Sequence, residues 1–394
     1  MFRTTWLRRL RALNRICFVL TIPFTLNAFV RPHLERLAGT YDITICLNME
    51  DSEILPVVPP GVRLVQLGIV RQIALGADLN TLLTLTGFFR REKFDLVISM
   101  TPKGGLLAML AAWLAGVPRR VHCFTGQVWA TRRGFSRWLL KSMDRLMVLS
   151  ATRLLADSGS QREYLMEQGI VDPGKIEVLA NGSMAGVDIQ RFQPDAATRV
   201  RIRMRLGMDD GACCLLFVGR LTGEKGVPEL MRAFEALAPQ FPNLHLMLVG
   251  PAEEGFESLF RDNSRVHRIG YTQAVQEYMA AADVFCLPSH REGFGLVLIE
   301  AGAVGLPVVA SRIYGITDAV LEGETGLLHQ AGNVADLVEK LHLLISTPAL
   351  RHTLGEAGRR RAQTEFGADR VTGEMAGFLR RMFEERNRMS RDDS

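Results

Sequence analysis

Along the chain, short runs of consecutive apolar residues alternate with longer stretches in which apolar positions recur every three or four residues. Runs that are apolar throughout suit strands buried on both faces, and the amphipathic stretches suit helices that cover them. The pattern therefore predicts parallel sheets flanked by helices. In the first half, strands are expected at Ile16–Leu20, Tyr41–Leu47, Arg63–Gln66, Leu96–Ser99, Arg120–Cys123, Arg153–Ala156 and Ile176–Leu179. Helices are expected at Val30–Leu37, Leu106–Leu114 and Gln161–Gln168. Gly116 and Pro118 stop the second helix, and Ser160 with Glu163 reads as a capping box opening the third.

The rhythm breaks at Asp188–Gly207, where Pro194 and a run of arginines mark a linker. A second set of strands follows at Cys213–Val218, His245–Val249, Val284–Leu287 and Pro307–Ala310, and the tail after Phe366 reads as a charged helix. The fold class expected is α/β, with two Rossmann-like domains facing a central cleft. Residues 1–187 form the N-terminal domain, 188–365 the C-terminal domain and 366–394 the tail. Ligands belong at the carboxyl ends of the strands.

Charge changes the picture next. Residues 1–187 carry 23 Lys/Arg against 14 Asp/Glu, whereas residues 188–394 carry 24 against 28, so the first half is suited to an anionic partner. Nucleic acid and a phospholipid surface both qualify. Aromatic residues make up only 7% and are not interleaved with the basic clusters, which argues against nucleic acid. None of the six cysteines forms a C-x-x-C pair, which suits reduced intracellular thiols.

Two segments raise the question of a membrane. Arg3, Arg8, Arg9, Arg11 and Arg15 precede the apolar stretch Ile16–Val30, which lacks a small-residue cleavage site and is interrupted by Pro23 and Asn27. It is neither a signal peptide nor long enough to span a bilayer. Trp6, Leu10 and Leu13 share a helical face among these arginines, consistent with a surface-lying helix or with a basic tail. Further on, Leu139, Met143, Leu146 and Met147 face away from Arg133, Arg137, Lys141 and Arg145, with Trp129 and Trp138 nearby. That element reads either as a lipid-binding helix or as a half-buried surface helix.

Candidate chemistry concentrates in the second half. Phe217-Val-Gly-Arg-Leu-Thr-Gly-Glu-Lys-Gly226 leaves a buried strand for a glycine-punctuated turn carrying Arg220 and Lys225. Glycines let backbone approach a ligand, and the two cations can neutralise a diphosphate; the alternative is a surface loop with solvated charges. Neither a P-loop nor a dinucleotide fingerprint is present. In Pro288-Ser-His-Arg-Glu-Gly-Phe-Gly-Leu-Val-Leu-Ile-Glu-Ala301, a turn at Gly293 and Gly295 precedes a helix beginning near Leu296. The free N–H groups of such a helix start suit a diphosphate. Glu292 and Glu300 would repel phosphate, so hydroxyls are their natural partners, one acid holding sugar and the other ribose. Glu300 could equally be a buried structural acid.

These two segments, with Glu322-Gly-Glu-Thr-Gly-Leu-Leu328, resemble the family-4 retaining glycosyltransferases of the two-Rossmann GT-B architecture over roughly residues 16–375. Thr101-Pro-Lys-Gly-Gly105, Val121-His-Cys-Phe-Thr-Gly-Gln127 and Leu179-Ala-Asn-Gly-Ser-Met-Ala-Gly-Val-Asp188 resemble the bacterial subgroup that builds capsule, O-antigen and related lipid-linked glycans. The resemblance implies that the first domain takes the acceptor, the second takes the donor, and the tail helix returns to the first. It implies a donor site of Gly219, Arg220, Lys225, Glu292, Gly293, Phe294, Gly295, Leu296 and Glu300. Within it Arg220 and Lys225 hold the diphosphate, Glu292 contacts the sugar, residues 293–296 supply backbone donors and Glu300 binds ribose. Many members carry a histidine immediately before the glycine of the second motif, where this chain has Thr125. His122 either takes over that contact or is a satisfied strand histidine.

The function so implied is a metal-independent, retaining hexosyl- or N-acetylhexosaminyltransferase, with Glu292, Arg220, Lys225 and His122 as its catalytic set. It would use a nucleotide diphosphate sugar, by analogy a uridine diphosphate sugar, and no cofactor. Its acceptor would be a lipid-linked or other surface glycan, at the inner face of the cell membrane. Rivals on the same architecture are a sugar-nucleotide epimerase and a phosphorylase. A non-catalytic protein binding membrane surface or nucleic acid is the rival from another class.

Overall fold

The computed structural model describes residues 13–49, 55–69, 74–209, 211–253, 256 and 263–392, with side chains as far as 384. The basic stretch containing Trp6 and Leu10 lies outside the described residues.

Among the described residues, thirteen strands form two sheets. The first holds β1 (Arg15–Val19), β2 (Asp42–Leu47), β3 (Arg63–Gln66), β4 (Leu96–Ser99), β5 (Arg119–Phe124), β6 (Arg153–Ala156) and β7 (Ile176–Val178), in the order β3-β2-β1-β4-β5-β6-β7. The second holds β8 (Cys213–Val218), β9 (Leu244–Val249), β10 (Val266–Ile269), β11 (Val284–Leu287), β12 (Val308–Ser311) and β13 (Gly326–His329), in the order β10-β9-β8-β11-β12-β13. The central pairs run parallel, for example Ile16 opposite Ile43 and Leu96, and Phe217 opposite Leu248. Central strands such as β8 and β11 are apolar throughout, and β1 and β4 are apolar but for Arg15 and Ser99 at their ends, because helices cover both faces. The sequence pattern misses β10 and β13, the two edges of the second sheet. β10 is half-exposed with two consecutive polar residues, His267 and Arg268, in its middle, and β13 is a four-residue strand led by glycine.

Both sheets reverse direction beside their first strand, β1 against β4 and β8 against β11. In a doubly wound sheet the crevice beyond the carboxyl ends of those two strands is where ligands sit.

The chain divides into two compact units: Met1–Phe124 with Lys141–Leu155 and Met375–Ser394, and Thr125–Leu140 with Ala156–Glu374. The division does not coincide with the 187/188 boundary. Segments 125–140 and 156–187 belong with the second unit because residues such as Ser158, Ser160 and Tyr164 bond or stack onto Gly293, Asp318 and Tyr314 there. The helix Ala368–Asp392 starts in the second unit, where Val187 N donates to Phe366 O at 2.7 Å and Ala368 N to Val187 O at 2.9 Å. From Met375 it belongs to the first unit: Arg119 Nε donates to Met382 O at 2.8 Å, and Tyr41 packs on Phe383 at 5.6 Å.

One expected cap is displaced. The helix Gly159–Glu167 is capped by Ser158, whose Oγ accepts from Gln161 N at 3.1 Å, rather than by Ser160. Ser160 is one residue inside the helix and turns its hydroxyl to Asp318 instead.

Candidate active site

The turn Gly219–Gly226 leaves the end of β8, and Pro288 leaves the end of β11, so the two glycine turns emerge at the reversal point of the second sheet. They are laced together. His290 N donates to Glu224 O at 2.9 Å, and Arg291 Nε donates to Glu224 Oε1 at 2.8 Å. Gly226 has φ 72, and a Cβ there would stand 2.0 Å from the Pro288 carbonyl oxygen. No other residue fits that left-handed, crowded position.

With the turns so joined, Lys225 Nζ lies 2.5 Å from Glu292 Oε1, and Ser289 Oγ donates to the same oxygen at 2.8 Å. Both Lys225 and Glu292 are half-buried, which strengthens their attraction over that of an exposed pair. Arg220 is exposed just beyond β8 and makes no hydrogen bond or ion pair among the described residues. One turn thus presents a cation already committed to an acid and a second cation without a partner.

The helix Leu296–Val304 begins directly after Gly295, which adopts φ 83. The N–H groups of Leu296 and Val297 open that helix with no carbonyl a turn earlier to accept them, at the positive end of its dipole. Phe294 is 2% exposed and packs against Phe366 at 5.3 Å, so its side chain supports the turn and only its backbone is available to a ligand. Part of Glu300 reaches the surface, yet its carboxyl is enclosed: burial pushes it up to about 7, with the Arg191 charge opposing.

A second tier of residues, which the sequence reading missed, braces the Gly293 turn. Ser158 Oγ donates to Gly293 O at 3.0 Å. Gly315 N donates to Ser160 Oγ at 2.7 Å, and a Cβ on Gly315 would come within 2.5 Å of Gly293 O. Gly293 itself leaves no room for a side chain, since a Cβ would meet the Thr125 carbonyl at 2.7 Å and Asp157 Oδ2 at 3.0 Å. Tyr314 is sandwiched onto Tyr164 at 4.4 Å, and Tyr164 onto Trp129 at 5.4 Å. The available signal was Asp157-Ser-Gly-Ser160, an acid at the carboxyl end of a buried parallel strand.

His122 lies in the first unit, on β5. It is 1% exposed, its Nδ1 shares a 2.8 Å hydrogen bond with Ser99 Oγ, and its ring edge meets Phe124 at 4.8 Å. Burial pushes its pKa down to about 3, so it stays neutral. These surroundings suit the reading of His122 as a satisfied strand histidine, the alternative to its place in the expected catalytic set. Trp129 is likewise removed from the expected lipid-facing element: it is 1% exposed, with the Arg137 guanidinium 5.2 Å from its ring centroid. Met147 is also buried, whereas Phe135, Trp138, Leu139, Leu146 and Leu149 of the helix Gly134–Ser150 are exposed. Among the described residues no helix is long and apolar enough to cross a membrane.

Comparison with known proteins agrees with this geometry. Residues 26–182 match the family "Glycosyl transferase 4-like domain" and residues 199–361 match "Glycosyl transferases group 1". The chain is 30% identical over 345 residues to the capsular polysaccharide biosynthesis glycosyltransferase CapM of Staphylococcus aureus, covering 86% of this chain and 88% of that protein. It is 28% identical over 281 residues to an Escherichia coli UDP-Gal:alpha-D-GlcNAc-diphosphoundecaprenol alpha-1,3-galactosyltransferase, covering 69% and 71%. Sucrose-phosphate synthase of Thermosynechococcus elongatus superposes with TM-score 0.79 at 20% identity, over 94% of this chain and 100% of that one. The chain belongs to the family-4 glycosyltransferases and has their GT-B fold of two Rossmann-like domains. Its activity is that of a glycosyltransferase.

Proposed function

We propose that the chain transfers a hexosyl or N-acetylhexosaminyl group from a uridine diphosphate sugar to a lipid-linked or other surface-glycan acceptor, with retention at the anomeric carbon and without a divalent metal. The observation that carries the reading is the meeting of Lys225 and Glu292 at 2.5 Å where the turns after β8 and β11 converge. As the glycosidic bond breaks, negative charge accumulates on the leaving diphosphate. Lys225, Arg220 and the N–H groups of Leu296 and Val297 are the donors on hand to receive it. Donor binding would transfer Lys225 from the carboxylate to phosphate and free Glu292 for a sugar hydroxyl. Glu300, one turn along the same helix, suits the ribose hydroxyls. The relatives' names support the class of substrate: one builds capsular polysaccharide, and the other moves galactose from UDP to a diphosphoundecaprenol-linked sugar.

The test is transfer from UDP-glucose, UDP-galactose and UDP-N-acetylglucosamine to a polyprenyl-diphosphate sugar, with and without EDTA, the product's anomeric configuration being read by proton coupling. Inversion, or activity abolished by EDTA, would overturn the mechanism. Absence of any sugar transfer would overturn the substrate assignment.

An anionic membrane surface is the partner we infer for the exposed side of the helix Gly134–Ser150. Phe135 and Trp138 stack at 5.7 Å beside the exposed Arg132 and Arg133, which pairs apolar insertion with attraction to acidic headgroups. Flotation with vesicles containing phosphatidylglycerol should capture the chain at low salt and release it at high salt. Equal recovery with neutral vesicles would remove the inference.

A further inference from the structure

We propose that Asp157 and Gln127 form a recognition wall beside the Gly293 turn that reads the hydroxyls of the transferred sugar and thereby sets which hexose is accepted. The inference rests on the transferase reading and adds two residues to it.

Both are buried polar side chains with bonding capacity left over. Gln127 is 1% exposed, and neither Oε1 nor Nε2 of its carboxamide has a hydrogen bond. Its backbone is held in place: Gln127 N donates to Tyr314 Oη at 3.4 Å, and the preceding Gly126 would bring a Cβ within 3.4 Å of Gly293 N. Asp157 is 6% exposed. Its N–H is anchored by Gln161 Oε1 at 2.8 Å, and its Oδ1 accepts from Met184 N at 2.8 Å. Its Oδ2 accepts no hydrogen bond among the described residues and stands 3.0 Å from where a Cβ on Gly293 would lie. Buried polar groups are nearly always paired, so the unpaired Gln127 carboxamide, next in sequence to the Gly126 that meets the Gly293 turn, and the unused acceptor of Asp157 beside the same turn mark a place where a partner arrives later.

The chemistry selects the partner. A carboxamide offers two donors and an acceptor, and a carboxyl accepts and, when protonated, also donates. Burial pushes the Asp157 carboxyl up to about 7, the Met184 N–H opposing and the Glu292 charge adding to the rise. It therefore exchanges between donor and acceptor near neutral pH. A phosphate would be repelled by Asp157 and Glu292 together, and the cations that suit it are Lys225 and Arg220. A polyol matches the wall, because each hydroxyl both donates and accepts. Glu292 precedes the same Gly293 turn, so the three side chains would divide the hydroxyls of one ring among them.

The test compares the wild-type chain with Asp157→Ala, Asp157→Asn and Gln127→Ala. Donors are UDP-glucose, UDP-galactose, UDP-N-acetylglucosamine and their 3-, 4- and 6-deoxy analogues, and UDP affinity is measured by calorimetry. Each alanine variant should lose about tenfold or more in kcat/KM on the preferred donor, the scale of one hydrogen bond to a buried polar group, with UDP affinity unchanged within twofold. For each variant, the wild-type penalty for removing one particular hydroxyl should disappear, which a merely structural role would not produce. Asp157→Asn keeps an acceptor for Met184 N and provides the same readout should the alanine variant not fold. Unchanged donor ranking in all variants, or UDP affinity falling in step with turnover, would overturn the wall. Wild-type chain that turned over none of these sugars would overturn the donor assignment proposed above, and the wall with it.

Discussion

Gly226 and Pro288 touch so closely that a methyl group on Gly226 would stand 2.0 Å from the Pro288 carbonyl oxygen, and Gly226 is also left-handed at φ 72. This contact joins the turn carrying Lys225 to the turn carrying Glu292. Gly226→Ala should therefore part the two turns, lowering stability by about 1–3 kcal/mol or more and weakening UDP binding at least tenfold. Gly223→Ala is the control, because its nearest neighbour would be Phe256 at an ordinary 3.5 Å. Thermal melts with and without UDP check both, and equal behaviour of the two variants would refute the joining role.

Lys225→Ala should reduce turnover by about 10²-fold or more, the scale on which lost electrostatic stabilisers act. It also leaves the half-buried Glu292 carboxylate, among the described residues, with Ser289 as its remaining side-chain hydrogen-bond partner. Steady-state transfer kinetics decide it, and a loss under threefold would withdraw Lys225 from the site.

His122→Ala should leave kcat within about threefold of wild type while costing about 2–3 kcal/mol of stability, since it removes a packed ring and orphans Ser99. Urea unfolding beside single-turnover kinetics separates the two effects. A loss of turnover beyond tenfold in fully folded protein would return His122 to the catalytic set.

The pH dependence has a definite sign. Asp157 and Glu300 are both raised to about 7 in the folded chain, from ordinary values near 4. Folded protein thus binds more protons than unfolded protein between about pH 4 and 7, so these two acids stabilise at the low end and that stability is lost as pH rises through 7. Asp157→Asn and Glu300→Gln should each flatten the fall in Tm between pH 5 and 8. Parallel wild-type and variant curves would contradict it.

How much was legible in the sequence follows from how local each feature is. The central strands were readable because burial on both faces makes them apolar in nearly every position, and the fold class followed from their alternation with helices. The cations and acids of the two glycine turns were readable for a similar reason: a turn, its glycines and its charges lie within about ten residues of one another. The half-exposed edge strand β10 escaped because nothing in its composition separates it from a loop.

Tertiary structure alone decided the rest. Lys225 and Glu292 are 67 residues apart, and Ser158 and Gly293 are 135 apart. No spacing rule pairs residues at such distances; the strand order of the second sheet does, by ending β8 and β11 side by side. The same holds for His122, whose position in a strand is compatible with catalysis or with the core and whose hydrogen-bond partner Ser99 only the fold supplies. Ser160 looked like a cap until Ser158 took that place. Chain-local forces choose helix, strand and turn, whereas the partner of a side chain is chosen by packing between segments that the sequence keeps far apart.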